Sequence, residues 1–144
     1  MPYRPIREII ANQRILTSPA KTTVSEAAQL MKQSKVGAVM VVEDGRLVGV
    51  FTERDALFRV LAEGRDAQTT RLAEVMTPNP QTINPDKPFG HALHLMYEGG
   101  FRHVPVVEAG QPIGMVSARD ALGPELEEFV SELRRREHIG EILG

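Results

Sequence analysis

Gly49-Val50-Phe51-Thr52-Glu53-Arg54-Asp55 returns 65 residues later as Gly114-Met115-Val116-Ser117-Ala118-Arg119-Asp120. Each copy reads as the end of an apolar strand, then a hydroxyl residue, then an aspartate three places on. At each such junction a strand hands its chain to a helix. Helix N-termini expose unpaired N–H groups and a partial positive charge, so the junction suits an anionic ligand. The same spacing also caps a helix, with the hydroxyl and the carboxylate closing on the backbone. The two roles are compatible.

Outward from this stretch the repeat continues at the same offset. Thr17 aligns with Thr82, Met31 with Met96, Val41-Val42-Glu43 with Val106-Val107-Glu108, and Gly45 with Gly110, and no gap is needed up to Leu122. In the first copy, Thr23-Val24-Ser25-Glu26 has the spacing of a capping box. A helix follows to about Ser34, with Val24, Ala27, Ala28 and Met31 facing inward. Ala38 to Val42 is a nearly continuous apolar run and predicts a covered strand. Asp44-Gly45 is the turn of a hairpin whose second strand is Leu47 to Phe51. A helix from Glu53 to about Glu63 is expected to turn Ala56, Leu57, Val60 and Leu61 inward and to stop at Gly64.

Ile6 to Ala11 and Leu72 to Met76 are similar short lead-ins to the two copies. Residues 6–64 thus form the first repeat, 65–71 a polar linker and 72–123 the second repeat. Residues 124–144 form a C-terminal helix with an apolar stripe at Leu126, Phe129, Val130 and Leu133. The expected fold is α+β, two βαββα repeats related by a pseudo-twofold axis. A unit this small cannot bury its sheet alone, so the copies should pack together and leave two related clefts.

The bulk properties narrow the function. The chain has 144 residues, 25% charged and 42% hydrophobic, in the range of ordinary globular proteins. A net charge of −2 offers no electrostatic case for nucleic acid or an acidic membrane as partner. With no cysteine there is no disulfide and no thiolate chemistry. Met1-Pro2-Tyr3-Arg4-Pro5 lacks the apolar core of a signal peptide, and no apolar run approaches ~18 residues. A cytoplasmic protein is expected. His91 and His94 share a helix face, but with no third ligand in view they read as helix surface rather than a metal site. Arg134-Arg135-Arg136 suits the end of a helix dipole. No nucleophile–base pair or Gly-x-x-x-x-Gly-Lys loop is present, and the reading is not an enzyme.

The doubled pattern resembles a tandem pair of CBS domains, the regulatory module named after cystathionine beta-synthase. The resemblance is carried by Val36-Gly37-Ala38-Val39, Val41 to Gly45 and Leu47 to Asp55. In the second copy it rests on Val75-Met76-Thr77-Pro78, Arg102 to Val107 and Gly114 to Asp120. It covers roughly residues 6 to 123. It implies an adenosine-containing regulatory ligand of the AMP, ADP or ATP kind, with no cofactor required. Asp55 and Asp120 would accept hydrogen bonds from ribose hydroxyls, and Thr52 and Ser117 would contact ribose or the first phosphate. One cleft would join Thr52 and Asp55 to Thr82 and to Arg102, His103, Val104 and Pro105. The other would join Ser117 and Asp120 to Thr17 and to Val36, Gly37 and Ala38.

Physical chemistry supports several of these placements. An ionised carboxylate only accepts hydrogen bonds, which suits a vicinal diol. Gly37 and Ala38 allow a flat base to approach the backbone. Arg54 and Arg119 in the first turn of a helix oppose its dipole, and a phosphate would compensate. Arg102 and His103 face Gly37 and Ala38 across the alignment, so unequal sites are expected. The family also implies a homodimer that signals to an unidentified protein partner. The alternative is a structural or interaction module that leaves its clefts unused.

Overall fold

In the computed structural model, which describes residues 4–143, the repeat becomes two hairpin-centred sheets. Met1 to Tyr3 and Gly144, the ends of the N-terminal stretch and of the terminal helix, lie outside the described residues. In the first sheet β1 (Thr17–Ser18) runs parallel to β2 (Ala38–Glu43), which turns back into antiparallel β3 (Arg46–Thr52). The far edge is closed by β4 (Thr77–Pro78), which comes from the second half of the chain. The second sheet pairs β5 (His103–Glu108) with β6 (Gln111–Ser117). Ile83 bridges Val106 in parallel, as Ser18 pairs with Val41 in the first copy. Even the irregularity repeats, between Val41 and Val42 and again between Val106 and Val107.

Both hairpins close on two residues at positive φ, Asp44 and Gly45 (51° and 76°) and Ala109 and Gly110 (53° and 80°). That pair of left-handed residues matches the twist of the flanking strands. At Ala109 the conformation costs about 1–2 kcal/mol that aspartate or glycine largely avoids.

The helices cover the sheets. Thr23 caps α2 (Val24–Ser34) by accepting the Glu26 N–H at 3.2 Å, and its hydroxyl donates to the Glu26 carboxylate at 3.0 Å. Val24, Ala27 and Met31 are buried, but Ala28, expected inward, is exposed. Its counterpart Leu93 is buried in α5 (Phe89–Gly99). The two cores fill the same space differently. One sets Phe51 on the strand and Val24 on the helix, while the other sets Val116 on the strand and Phe89 on the helix.

The lead-in helices are exchanged between the copies. Ile6 and Ile10 of α1 (Ile6–Ile10) join the second core, with Phe89, Val104, Val106 and Val116. Leu72 and Val75 of α4 (Leu72–Val75) join the first, with Val24, Val39, Val41 and Phe51. Gly49 and Gly114 make room for this crossing. A Cβ on Gly114 would lie 2.8 Å from Ile10 Cβ, and one on Gly49 would lie 3.0 Å from the Thr77 carbonyl oxygen. The strand edge beside each glycine is then satisfied, at β3 by β4 and at β6 by a side chain. Gln13 donates to the Met115 carbonyl at 2.7 Å and accepts its N–H at 2.8 Å.

Two expectations about helices need correction. After Thr52, α3 (Glu53–Asp55) continues as a π-helix (Ala56–Leu61), and its inward line is Val60 with half-buried Ala56. Leu57 and Leu61, expected inward, are 50% and 72% exposed. Each lies one residue further round the helix than Ala56 and Val60, and a single sheet face takes only one line. After Ser117, Arg119 is not in the first turn of a long helix. Ala118–Asp120 is a single 3-10 turn, the chain extends at Ala121 (ψ 133°), and α6 (Gly123–Leu143) starts afresh. Pro124 is the cause, because a proline ring clashes with a preceding helical turn but is tolerated in a first turn.

The new helix docks on α5. Phe129 packs edge-on against His94 (4.9 Å between centroids) and Tyr97 (6.0 Å), His94 Nε2 meets Glu132, and Arg136 meets Glu98 at 3.2 Å. Phe129 and Leu133 are half-buried there, whereas Leu126 and Val130 stay exposed. His91 is exposed, and no metal-binding cluster of three or more such groups occurs among the described residues.

Candidate functional site: the cleft between the copies

Both strand-to-helix junctions close as capping boxes. Asp55 N–H donates to Thr52 Oγ1 at 3.2 Å, while Asp55 Oδ2 accepts the Thr52 N–H at 2.9 Å and its hydroxyl at 3.1 Å. Arg59 adds an ion pair to Oδ1 at 3.5 Å, so Asp55, only 8% exposed, has a partner at each carboxylate oxygen. The second junction is looser. Asp120 Oδ2 accepts the Ser117 N–H at 2.8 Å, and the residue is half-buried. The Asp120 carbonyl is served by a side-chain donor instead of a helical N–H, because the chain extends at Ala121. Arg4 Nη2 takes that place at 2.7 Å and also grips the Glu125 carboxylate at 2.7 Å. Glu125 in turn accepts the Leu122 N–H at 2.9 Å and so caps α6.

Next to the second junction lies a cleft of about 600 Å³, built by both copies. The first copy supplies Met31, Lys32, Lys35, Val36, Gly37, Phe51 and Glu53, together with Ala28 and Ala56. The second supplies Arg102, His103, Ser117, Ala118 and Arg119. Strand register explains the meeting. Ala38 stands opposite Thr52 and His103 opposite Ser117, so each hairpin brings its junction beside the start of its first strand.

Six of the residues singled out in the sequence line this cleft: Val36, Gly37, Arg102, His103, Ser117 and Arg119. The sequence reading divides them between two clefts, whereas the structure brings them to one. Ala38, Val104 and Pro105 are buried in their strands, and Asp55 is folded into its capping box beside Thr52. Thr17 and Thr82 are exposed on the segments that flank β2 and β5. Arg54 is directed to the Gly100 carbonyl at 3.3 Å, with its guanidinium 5.5 Å from the centre of the Phe58 ring. The sequence reading notes Glu53 only as a difference from Ala118 in the other copy, and places neither it nor Lys32 and Lys35 in a cleft. Nothing local marks them, because lysines at a helix end and a glutamate in a first turn are ordinary surface choices.

His103 is the titrating group of the cleft. Burial pushes its imidazole below the usual histidine value of 6.5, the Glu53 carboxylate pulls it back up, and Arg102 adds to the lowering. Asp120 and Arg119 act more weakly, in opposite directions. A neutral imidazole both donates and accepts, and it gains a proton readily when an anion arrives. Beside Arg102 and Arg119 this is a setting for a phosphate.

A duplicated sheet-and-helix unit with exchanged lead-ins and a shared cleft defines the class of protein. The pattern of the CBS domain matches residues 6–62 and 72–124, and the chain belongs to the CBS-domain family as a tandem pair. The CBS pair is a regulatory module. The CBS domain-containing protein YhcV of Bacillus subtilis is 38% identical over 115 residues, 80% of this chain and 81% of that protein. CBSX3, a mitochondrial CBS domain-containing protein of Arabidopsis thaliana, is 36% identical over 118 residues. That is 78% of this chain, which spans 57% of the relative's length. The CBS domain protein PAE2072 of Pyrobaculum aerophilum, solved as a complex with AMP, superposes with a TM-score of 0.78 at 25% identity. The superposition covers 89% of this chain and 99% of that one. None of the described helices is long and apolar enough to cross a membrane.

Proposed function

We propose that this chain is a non-enzymatic sensor that takes an adenosine-containing ligand of the AMP, ADP or ATP kind into its cleft and signals the bound state to a partner protein. The observation that carries this reading is the cleft of about 600 Å³, where Arg102, His103 and Arg119 face Val36 and Gly37. Its size suits a nucleotide, and the AMP complex of the structurally similar PAE2072 supports the choice. The protein works in the cytoplasm as a homodimer, and the ligand is a regulatory signal rather than a resident cofactor. The bound state reaches the surface through Arg4, which ties the Asp120 carbonyl to the first turn of α6. A ligand that moves Asp120 therefore acts on α6, provided it binds the two arrangements unequally.

The test is thermal unfolding with AMP, ADP, ATP, NADH and S-adenosylmethionine. A ligand at 100 times its dissociation constant adds about 2.7 kcal/mol, which is a rise of roughly 5–10 °C for a chain of this size. Arg102→Ala with Arg119→Ala, both at exposed positions, should abolish the rise while leaving the unliganded midpoint in place. If no ligand shifts the wild type, the sensor reading is wrong and the interaction module takes its place.

A further inference from the structure

One wall of the cleft carries two lysines that the repeat does not copy. Lys32 and Lys35 line it from the first copy, while the residues 65 positions on are Tyr97 and Gly100. Both lysines sit at the end of α2, Lys35 as its left-handed cap with φ 54°. A lysine there ordinarily does no more than offset the negative end of the helix dipole. That role does not account for Arg102 and Arg119, which reach the same cleft from the second copy. Four cations therefore face one carboxylate, Glu53. The contrast with the first junction is direct, because Arg54, the counterpart of Arg119, is engaged by the Gly100 carbonyl and the Phe58 ring. Like charges gathered along one cleft repel one another, and an anionic occupant relieves them.

We propose that Lys32 and Lys35 form a polyphosphate subsite, so that the cleft selects a nucleoside di- or triphosphate over a monophosphate. This rests on the adenosine-ligand reading above. A single phosphate has its cations in Arg102 and Arg119. The lysines come from the opposite copy, so an occupant that engages all four cations bridges the two copies. Each added phosphate brings charge and further acceptor oxygens. An ammonium on a flexible stem follows a phosphate chain as a mobile point charge.

The experiment is titration calorimetry of the full chain with AMP, ADP and ATP in magnesium-free buffer, on wild type and on Lys32→Gln/Lys35→Gln. Both lysines are exposed, and a thermal melt of the double variant checks that it folds. ATP should bind about tenfold or more tightly than AMP, an advantage of about 1.4 kcal/mol. The double variant should lose that advantage while its AMP affinity changes less than about threefold, and added salt should weaken ATP more than AMP. Equal affinity for AMP and ATP in the wild type overturns the subsite and leaves the adenosine reading standing. So does a variant that weakens both by the same factor. If none of the three nucleotides binds, both readings fall.

Discussion

His103 occupies the position aligned with Ala38, and its burial makes the cleft sensitive to protons. Its folded value lies below 6.5, so between that lowered value and 6.5 the unfolded chain holds a proton that the folded chain does not. Stability from this group is therefore fully present above the unfolded value and is lost as the pH falls from there through the lowered folded value. Wild type should lose melting temperature on acidification from about pH 7 to pH 5 more steeply than His103→Gln does. Parallel melting curves for the two would mean that the imidazole titrates as freely folded as unfolded. At the same scale, Asp55 and Asp120 show how one motif serves two conditions. The first is buried and internally bonded, while the second is half-open beside the cleft, because Arg59 follows one and Pro124 the other.

Exchange of the lead-ins is settled at the scale of elements, where helix meets strand edge. Gly49 and Gly114 are part of the stretch that reveals the repeat, yet their role is to let α4 with β4, and α1 with Gln13, lie against a strand. Gly114→Ala places a methyl group 2.8 Å from Ile10 Cβ and 3.0 Å from Gln13 Oε1, and overpacking of this kind costs about 1–3 kcal/mol. Urea unfolding should show that loss, whereas Gly123→Ala, whose new methyl meets nothing within 4 Å, should stay within about 0.5 kcal/mol of wild type. A Gly114→Ala protein as stable as wild type would show that α1 is free to move away from β6.

The molecule as a whole carries an apolar face that nothing in the chain covers among the described residues. Leu57, Phe58 and Leu61 stand 50%, 53% and 72% exposed on the helix that follows the first junction. Grouped exposure of this kind marks a contact face rather than scattered surface residues. A self-complementary face generates a twofold dimer, and this face is our candidate contact for the homodimer proposed above. Leu61→Asp with Phe58→Asp should convert the protein to monomers in analytical ultracentrifugation, without lowering the affinity of the cleft for nucleotide. Dimers that persist in this variant would move the interface elsewhere.

The repeat, the hairpins, the glycine turns and both capping motifs were legible in the sequence, because each depends on residues a few positions apart. Periodicity marks a buried face, a Thr-x-x-Asp spacing closes on its own backbone, and an Asp-Gly pair bends its own strand. The same locality misled at Leu57 and Leu61, where a helical stripe looked wider than the sheet it covers. It also suggested a helix after Ser117 like that after Thr52, where the chain makes a single 3-10 turn before α6. The repeat brought Ser117 into view and the family resemblance added Arg102 and His103, but neither showed the wall they share with Lys32, Lys35 and Glu53. Those three are unremarkable in their own elements and acquire a role only when the copies meet. Local chemistry thus determined the elements and the doubled plan. Which lead-in packs in which core, and which charges face one another across the cleft, was decided by tertiary structure, since both depend on contacts between residues far apart in the chain.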